Sequence, residues 1–214
     1  MRGTLLRALM KMHENERSFR DSHGNVSFID RDNLLLHIKP SGIPYGKIDL
    51  STIVTIDLRD MSCSPSDVRP SVDLPHHISI YENNKNIKAI CHTHSPYVVA
   101  HAISALELSC MTTEHADYFG HHVRVLPYRD LDSWGDFELY SYEKAVILGN
   151  HGGLTFANDP VKAVELSLML ENIAEKNHLS RILLPTGLSS NVLSKDEMNK
   201  WHKRYSEGYG QKKE

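Results

Sequence analysis

Cysteine and surplus positive charge are both scarce in this sequence. Only three of its 214 residues are cysteines, namely Cys63, Cys91 and Cys110. Three cysteines at unrelated spacings exclude a disulfide framework and a Cys-x-x-Cys zinc site. The formal net charge is -3, so the chain lacks the basic excess that is typical of nucleic-acid-binding domains. We therefore expect no nucleic-acid partner.

Long apolar runs are absent as well. Leu5, Leu6 and Leu9 make the first segment partly apolar, but Arg7 interrupts them and no continuous stretch follows. A signal peptide or a transmembrane helix needs such a stretch. We therefore expect neither, no membrane partner, and a cytoplasmic location. A length of 214 residues suits one domain with a substantial core, and we expect a single domain over residues 1–214.

Histidine, by contrast, is abundant, with fourteen residues in the chain. Two of them, His92 and His94, follow an apolar run that is typical of a buried strand. Side chains two apart on a strand point to the same face, with about 7 Å between their Cα atoms. Both imidazoles can therefore converge on one divalent metal ion such as zinc. A hydrogen-bonded structural pair at a strand end would give the same pattern.

A third histidine, His151, strengthens the metal hypothesis. It follows the apolar strand Ala145–Leu148 and is itself followed by two glycines. Glycines at a strand end let the backbone approach a ligand closely. The sequence therefore predicts a metal site made by three histidines. Other histidines, among them the pair His76 and His77, are interpreted as surface positions or as supports behind a site.

Hydrophobic periodicity and turn residues predict alternating helices and strands. Strands are predicted at residues 26–29, 34–39, 53–58, the run into His92, 123–127 and 145–148. Helices are predicted at residues 3–15, from an N-cap at Ser71 to Tyr81, at 97–106, at 134–142, from an N-cap at Asn158 or Asp159, and from the capping box Ser194-x-x-Glu197 to about Gly208. Residues 59–69 and 112–120 are predicted as loops.

The start of the predicted helix after Pro70 is a candidate anion site. Ser71 as its N-cap would leave backbone amides free at the positive end of the helix dipole. Together with Asn25 and the turn Ser41-Gly42, these amides could hold a phosphate. Each of these positions is equally typical of an ordinary cap or turn.

Taken together, these segments resemble the class II aldolase/adducin family, and within it the L-ribulose-5-phosphate 4-epimerases. The motifs stand in the family's order and spacing over nearly the whole chain: Gly24-Asn25-Val26-Ser27, Lys39-Pro40-Ser41-Gly42, Pro70-Ser71-Val72-Asp73, His92-Thr93-His94-Ser95 and His151-Gly152. Residues 113–119 and the terminal Tyr209-Gly210-Gln211 resemble the epimerase branch rather than the fuculose- or rhamnulose-phosphate aldolases. The resemblance implies a three-layer α/β/α domain with a mostly antiparallel central sheet. It also implies a homotetramer with active sites between subunits.

The resemblance further implies roles for individual residues. The implied metal ligands are His92, His94 and His151, with the carboxylate of Asp73 beside the ion. The implied ion is Zn2+ or another divalent metal such as Mn2+ or Co2+. The implied phosphate-binding positions are Gly24, Asn25, Ser41, Gly42 and Ser71. The implied acid/base pair is Asp117 and Tyr209, with Tyr209 supplied by a neighbouring subunit. One position departs from the epimerase pattern: Val72 replaces a serine, so the phosphate site loses a hydroxyl although the Val72 amide can still donate.

The implied activity is epimerisation of a small phosphorylated sugar, L-ribulose 5-phosphate to D-xylulose 5-phosphate. The metal would act as a Lewis acid and stabilise the charge left when the C3–C4 bond breaks. The freed aldehyde could rotate before it is attacked again, which inverts C4. Two other interpretations stay open. One is a metal-dependent aldolase, decarboxylating lyase or dehydratase acting on a related ketose phosphate, which Val72 favours. The other is a non-catalytic domain like that of adducin, against which the three histidines argue.

Overall fold

The computed structural model of the protein describes residues 1–15, 23–129, 135–184 and 191–208. Within these ranges the backbone forms six α-helices and one eight-stranded sheet. The helices are α1 (Arg2–Glu14), α2 (Leu74–Asn83), α3 (Pro96–Ser104), α4 (Thr113–Phe119), α5 (Pro160–Leu183) and α6 (Lys195–Gly208). The strands are β1 (Asn25–Asp30), β2 (Leu35–Ile38), β3 (Val54–Asp57), β4 (Cys63–Ser64), β5 (Ala89–Thr93), β6 (Val125–Leu126), β7 (Ala145–Leu148) and β8 (Gly152–Ala157). None of the helices in the described ranges combines the length and apolarity needed to span a bilayer.

The sheet is mostly antiparallel, as predicted. Its strands are ordered β4-β3-β2-β1-β5-β8-β7-β6, and only the β6–β7 pair is parallel. The strand β5 lies between β1 and β8. Its register places His92 opposite Asn25 of β1, and Thr93 opposite Gly153 of β8. The end of β5 is therefore enclosed by backbone on both sides.

Side chains alternate between the two faces of the sheet and so divide the core. In β5, Ile90 packs into the cluster that α2 covers with Leu74 and Tyr81. Ala89 and Cys91 belong to the opposite cluster, which α1 and α5 cover. The helix α3 packs beside α5 on that second face. This is the predicted three-layer α/β/α arrangement. The side chains of β5 that lie on the same face of the sheet as Ile90 point toward α2.

One segment predicted as a loop, residues 112–120, is largely helical. Thr112 caps α4, because its Oγ1 accepts a hydrogen bond of 3.1 Å from the amide of His115. Gly120 ends the helix in the left-handed region, with φ 73°. The loop prediction was wrong because seven residues are too few to show an apolar period, although the signals at both ends are in the sequence.

A helix predicted near residues 134–142 is not formed in residues 135–142, the part of it that the structure describes. The side chain of Arg124 donates to the carbonyl of Glu138 (2.5 Å) and to the carboxylate of Glu143. The amide of Tyr140 also donates to Glu143 (2.8 Å). These bonds hold the segment in an irregular path. Residues 59–69, predicted as a featureless loop, contain the short edge strand β4.

The predicted helix caps have mixed outcomes. The N-cap residue of α2 is Asp73 and not Ser71. Ser71 lies two residues earlier, and its Oγ accepts a 3.3 Å hydrogen bond from the amide of Asp73. Asp159 caps α5 by accepting from two amides of the first turn, at 2.9 and 3.1 Å. Ser194 accepts from the amide three residues on, at 3.3 Å, which is one half of the predicted capping box.

Candidate metal centre

Three histidines meet at one end of the sheet. His92 lies near the end of β5, His94 directly after that strand, and His151 in the turn between β7 and β8. One ring nitrogen from each lies within 4.8 Å of the others. The Nε2 atoms of His92 and His94 are 2.9 Å apart, and the three ring centroids are 4.8 to 4.9 Å apart. Around tetrahedral zinc, ligand nitrogens are about 3.3 Å apart. The arrangement is therefore close to what a single ion requires.

Burial keeps these imidazoles neutral. It lowers the pKa of His92 well below its ordinary value, lowers that of His94 to about 4, and lowers that of His151 as well. Nδ1 of His92 lies 3.1 Å from the carbonyl of Gly153, a contact in which Nδ1 must donate. Nε2 of His92 is then a lone-pair donor, which is the tautomer that a metal ligand needs. The donor set fits a late divalent ion.

Gly152 allows the turn after His151 to approach the other two histidines. A Cβ atom on Gly152 would lie 2.3 Å from the carbonyl oxygen of Thr93 and 2.9 Å from Cδ2 of His94. Any larger residue would have to displace backbone as well as side chain. This contact explains in physical terms why glycine follows His151.

Asp73 lies beside the three histidines. Its Oδ2 accepts a 2.5 Å hydrogen bond from Nδ2 of Asn25, the residue opposite His92 in the sheet. The negative charge of Asp73 raises the pKa of both His94 and His151, against the larger effect of burial. A carboxylate is thus available at the edge of the histidine cluster.

The segments predicted to bind phosphate converge next to Asp73. A backbone bridge joins Pro40 to Pro70, so the Ser41-Gly42 turn lies beside Ser71. The amides of Ser41 and Ser71 are already bound to carbonyl groups, at 2.9 and 3.0 Å. Among the described residues, the amides of Gly42 and Val72 have no acceptor. These two amides, rather than that of Ser71, are the donors left for an anion.

The backbone conformation explains the two glycines of these segments, and Val72 beside them is exposed. Gly24 has φ +74°, and a Cβ atom there would lie 2.5 Å from the carbonyl oxygen of His92. Gly42 has φ +67°, in the left-handed region that favours glycine. The side chain of Val72 is 79% exposed. A serine hydroxyl at this position would therefore be accessible to solvent.

Asp117 is not brought to the histidines within one chain. It lies on α4, where burial raises its pKa and where its charged neighbours are Arg204, His202 and Glu114. Nζ of Lys144 donates to the carbonyl of Tyr118, the residue after Asp117, at 3.1 Å. Lys144 precedes β7, whereas the histidines cluster at the far end of that strand, about 13 Å away at 3.3 Å per residue. Tyr209, predicted as its acid/base partner, lies outside the described residues.

The sequence interpretation allowed two histidines on α2, His76 and His77, either a surface position or a supporting one. The surface position is wrong for both. His76 is 8% exposed and His77 is fully buried. The positive charge that His76 would carry lowers the pKa of both His92 and His151, so its ring lies near the centre. His77 contacts Ser27 of β1 at 2.7 Å. Their positions three and four residues after Asp73 were the available signal, because such residues share a helix face.

Comparisons with known proteins show the family and the fold of the chain. The sequence model of the family described as Class II Aldolase and Adducin N-terminal domain matches residues 4–178. The L-ribulose-5-phosphate 4-epimerase UlaF of Salmonella paratyphi C is 28% identical over 179 residues, which cover 76% of this chain and 77% of that protein. A solved structure of an L-fuculose 1-phosphate aldolase has a TM-score of 0.81 and 27% identity, and covers 96% of this chain and 95% of its own. The L-fuculose-1-phosphate aldolase of Thermus thermophilus is similar in fold, with a TM-score of 0.70, 20% identity, and coverage of 87% and 100%.

Proposed function

Since the chain belongs to the Class II Aldolase and Adducin N-terminal domain family, we propose that it is a metal-dependent 4-epimerase of a pentulose phosphate. It is an enzyme of this family. The reaction we propose converts L-ribulose 5-phosphate to D-xylulose 5-phosphate. One observation carries the proposal: three neutral imidazoles converge in a chain similar over most of its length to proteins named as that epimerase.

For the metal we propose Zn2+, with Mn2+ or Co2+ as alternatives. His92, His94 and His151 would hold the ion, with Asp73 beside it. When bound, the ion supplies Lewis-acid stabilisation of the negative charge that remains on the ketose fragment when the C3–C4 bond breaks. Asn25 binds one oxygen of Asp73, which leaves the other for the ion or for a substrate hydroxyl.

The phosphate group would lie against the two backbone amides of Gly42 and Val72. Gly24, Asn25, Ser41 and Ser71 would complete its surroundings. Restoring the hydroxyl with Val72→Ser is expected to lower KM for a phosphorylated substrate by less than tenfold, the order of one solvent-exposed hydrogen bond with a net contribution of about 1 kcal/mol. Turnover of the unphosphorylated sugar as fast as the phosphate ester would refute this part of the proposal.

Asp117 and Tyr209 would act as proton donors and acceptors on opposite faces of the freed aldehyde. The separation of Asp117 from the histidines within one chain supports a site completed by a neighbouring subunit. We propose a homotetramer in which adjacent subunits share each site. Tyr209→Phe should then reduce epimerisation by about 10²–10⁴-fold, the effect of removing a positioned general acid, and leave metal content unchanged.

Subunit mixing tests the shared site. Hybrids of Tyr209→Phe with His94→Ala subunits should regain activity, since some of their interfaces contain one complete site. Unmixed Tyr209→Phe and His94→Ala proteins, taken through the same dissociation and reassembly, are the controls. Full activity of Tyr209→Phe alone, or no recovery in hybrids verified by mass spectrometry, would exclude the shared acid.

An aldolase on a related ketose phosphate is the second candidate, since the chain is 27% identical to an L-fuculose 1-phosphate aldolase over 96% of its length. A product assay separates the two functions. Pentulose and hexulose phosphates are incubated with the metal-loaded enzyme, and epimerised and cleaved products are measured in the same sample. The 4-epimer of a pentulose phosphate is the expected product. Net accumulation of cleavage fragments without the epimer would favour the aldolase.

A further inference from the structure

A buried line of polar side chains joins α2 to β1 and leads away from the candidate metal centre. We call it the polar seam; it consists of Asn25, Ser27, Asp73, His77 and Tyr81. Asn25 and Ser27 are two apart on a strand and so face α2 together. Asp73, His77 and Tyr81 are spaced by four and so form one stripe along the helix. The seam therefore aligns the helix residue by residue with the strand.

The contacts of the seam are short, and those around Ser27 are shielded from water, whereas Asp73 is half-buried. Nδ2 of Asn25 donates to Asp73 at 2.5 Å. Oγ of Ser27 lies 2.7 Å from Nδ1 of His77 and 2.8 Å from the hydroxyl of Tyr81. Ser27, His77 and Tyr81 are all 0% exposed. A buried polar group that loses its partner costs far more than an exposed one, so these bonds hold only one alignment.

The hydrogen bonds of the seam fit one consistent arrangement of protons. The hydroxyl of Tyr81 donates to the carbonyl of Lys88 at 3.3 Å. In the arrangement in which Tyr81 uses its proton for that carbonyl, the hydroxyl of Ser27 donates to Tyr81 and accepts from His77, whose Nδ1 then carries the proton. Burial lowers the pKa of His77 to about 3, which keeps the ring neutral near pH 7.

Much of the rest of the α2 interface is apolar, although the side chain of Arg31, just after β1, also donates to the carbonyls of Tyr81 and Asn84, at 3.0 and 3.2 Å. Leu74 and Ile80 pack into the core cluster on this face of the sheet. Apolar contacts are not directional, whereas a buried hydrogen-bonded group can specify register. A shift of α2 by one residue moves it about 1.5 Å along its axis. That shift would break the contacts of Ser27 and carry Asp73 away from the histidines.

We propose that His77 is a positioning residue that, through Ser27 and Tyr81, fixes the register of α2 on β1 and so holds the Asp73 carboxylate at the histidine cluster. The inference rests on the proposed function, because the reaction and the metal are what Asp73 serves. It adds a role that the resemblance and the comparisons leave unassigned. His77 itself does not touch the substrate in this account.

The test compares His77→Leu with His77→Asn. Asparagine can place its amide nitrogen where Nδ1 lies and can still donate to Ser27, whereas leucine fills the space without a donor. His77→Leu should lower kcat or metal affinity by about 10–100-fold, the usual effect of losing a group that orients a ligand. It should also change the visible spectrum of the Co2+-loaded protein. His77→Asn should recover most of both properties.

Combination with Asp73→Asn shows whether His77 acts through Asp73. If it does, His77→Leu should cause little further loss of kcat in the Asp73→Asn background, because the two effects share one path. Ile80→Val is the matched control, since it loosens the same helix on its apolar side. It should lower Tm and leave kcat and the Co2+ spectrum unchanged. Tyr81→Phe, which removes one hydroxyl, replaces His77→Leu should the latter fail to fold.

The possible outcomes separate the proposed function from the role of His77. Wild-type protein that neither binds Co2+ nor turns over a sugar phosphate would refute the proposed function, and the inference with it. Wild-type protein that does both, with His77→Leu matching it in kcat and spectrum while losing only Tm, would overturn the inference alone. Losses that multiply fully in the double variant would also overturn it.

Discussion

Replacing Gly152 with alanine puts a methyl group into the tightest contact of the histidine cluster. The added Cβ would lie 2.3 Å from the carbonyl oxygen of Thr93, 2.9 Å from Cδ2 of His94 and 3.3 Å from Cε1 of His92. The first partner is backbone and cannot rotate away. The β7–β8 turn therefore has to move outward, and His151 moves with it.

The size of the effect follows from that overlap. Overpacking of a tight contact costs about 1–3 kcal/mol. If the strain is relieved by displacing His151, the same free energy is taken from metal binding. At about 1.4 kcal/mol per tenfold, Gly152→Ala should weaken binding of a divalent ion by about 5- to 150-fold.

Gly153→Ala is the matched control, because Gly153 is adjacent and faces the other side of the sheet. Its Cβ would meet the ends of two side chains, Val98 at 2.9 Å and Leu170 at 3.2 Å. Both can adjust, so Gly153→Ala should lower Tm and keep metal affinity. The assay is competition with a chromophoric chelator, together with thermal unfolding of each metal-free protein. Equal metal affinity in wild type and Gly152→Ala, or a larger loss in Gly153→Ala, would refute the reasoning.

Three further predictions concern groups away from the histidine cluster. Burial lowers the pKa of His115 to about 4. As pH falls from about 6.5 to 4, this histidine therefore gains a proton only in the unfolded state. The free energy of unfolding should then drop by up to about 1.4 kcal/mol per pH unit. His115→Gln should flatten that dependence in urea denaturation at pH 7, 6 and 5, and parallel curves would contradict it. The carboxylate of Glu171 accepts from two amides at the start of α3, both at 3.0 Å. Glu171→Gln should therefore lower the free energy of unfolding by about 1–3 kcal/mol. An unchanged midpoint of urea denaturation would argue against this cap. Asp159→Ala should cost about 1 kcal/mol by removing the cap of α5, measured in the same way, and a loss below about 0.3 kcal/mol would refute the cap's contribution.

The features that could be predicted from the sequence are those with local causes. The same-face geometry of His92 and His94 follows from strand periodicity, and the close turn at His151 from the glycines after it. The sequence also placed the N-cap of α5 at one of two adjacent residues. In each case the determining groups lie within a few positions of one another, so a short window of sequence contains the whole cause.

The features that could not be predicted depend on partners far along the chain. His77 is buried where α2 packs on the sheet, and there it contacts Ser27, fifty positions away. Glu171 caps α3 from 73 and 74 positions away. The separation of Asp117 from the histidines depends on how α4 is placed relative to β7. No local pattern of residue types can indicate contacts between residues that are so far apart in the sequence.

The most direct test of the metal centre is metal analysis of purified protein by inductively coupled plasma mass spectrometry. We predict about one divalent ion per chain in the wild type and a large loss in His94→Ala. His178→Ala, which removes an exposed histidine, serves as the control and should keep the wild-type content. Equal metal content in wild type and His94→Ala would contradict a centre built on the three histidines.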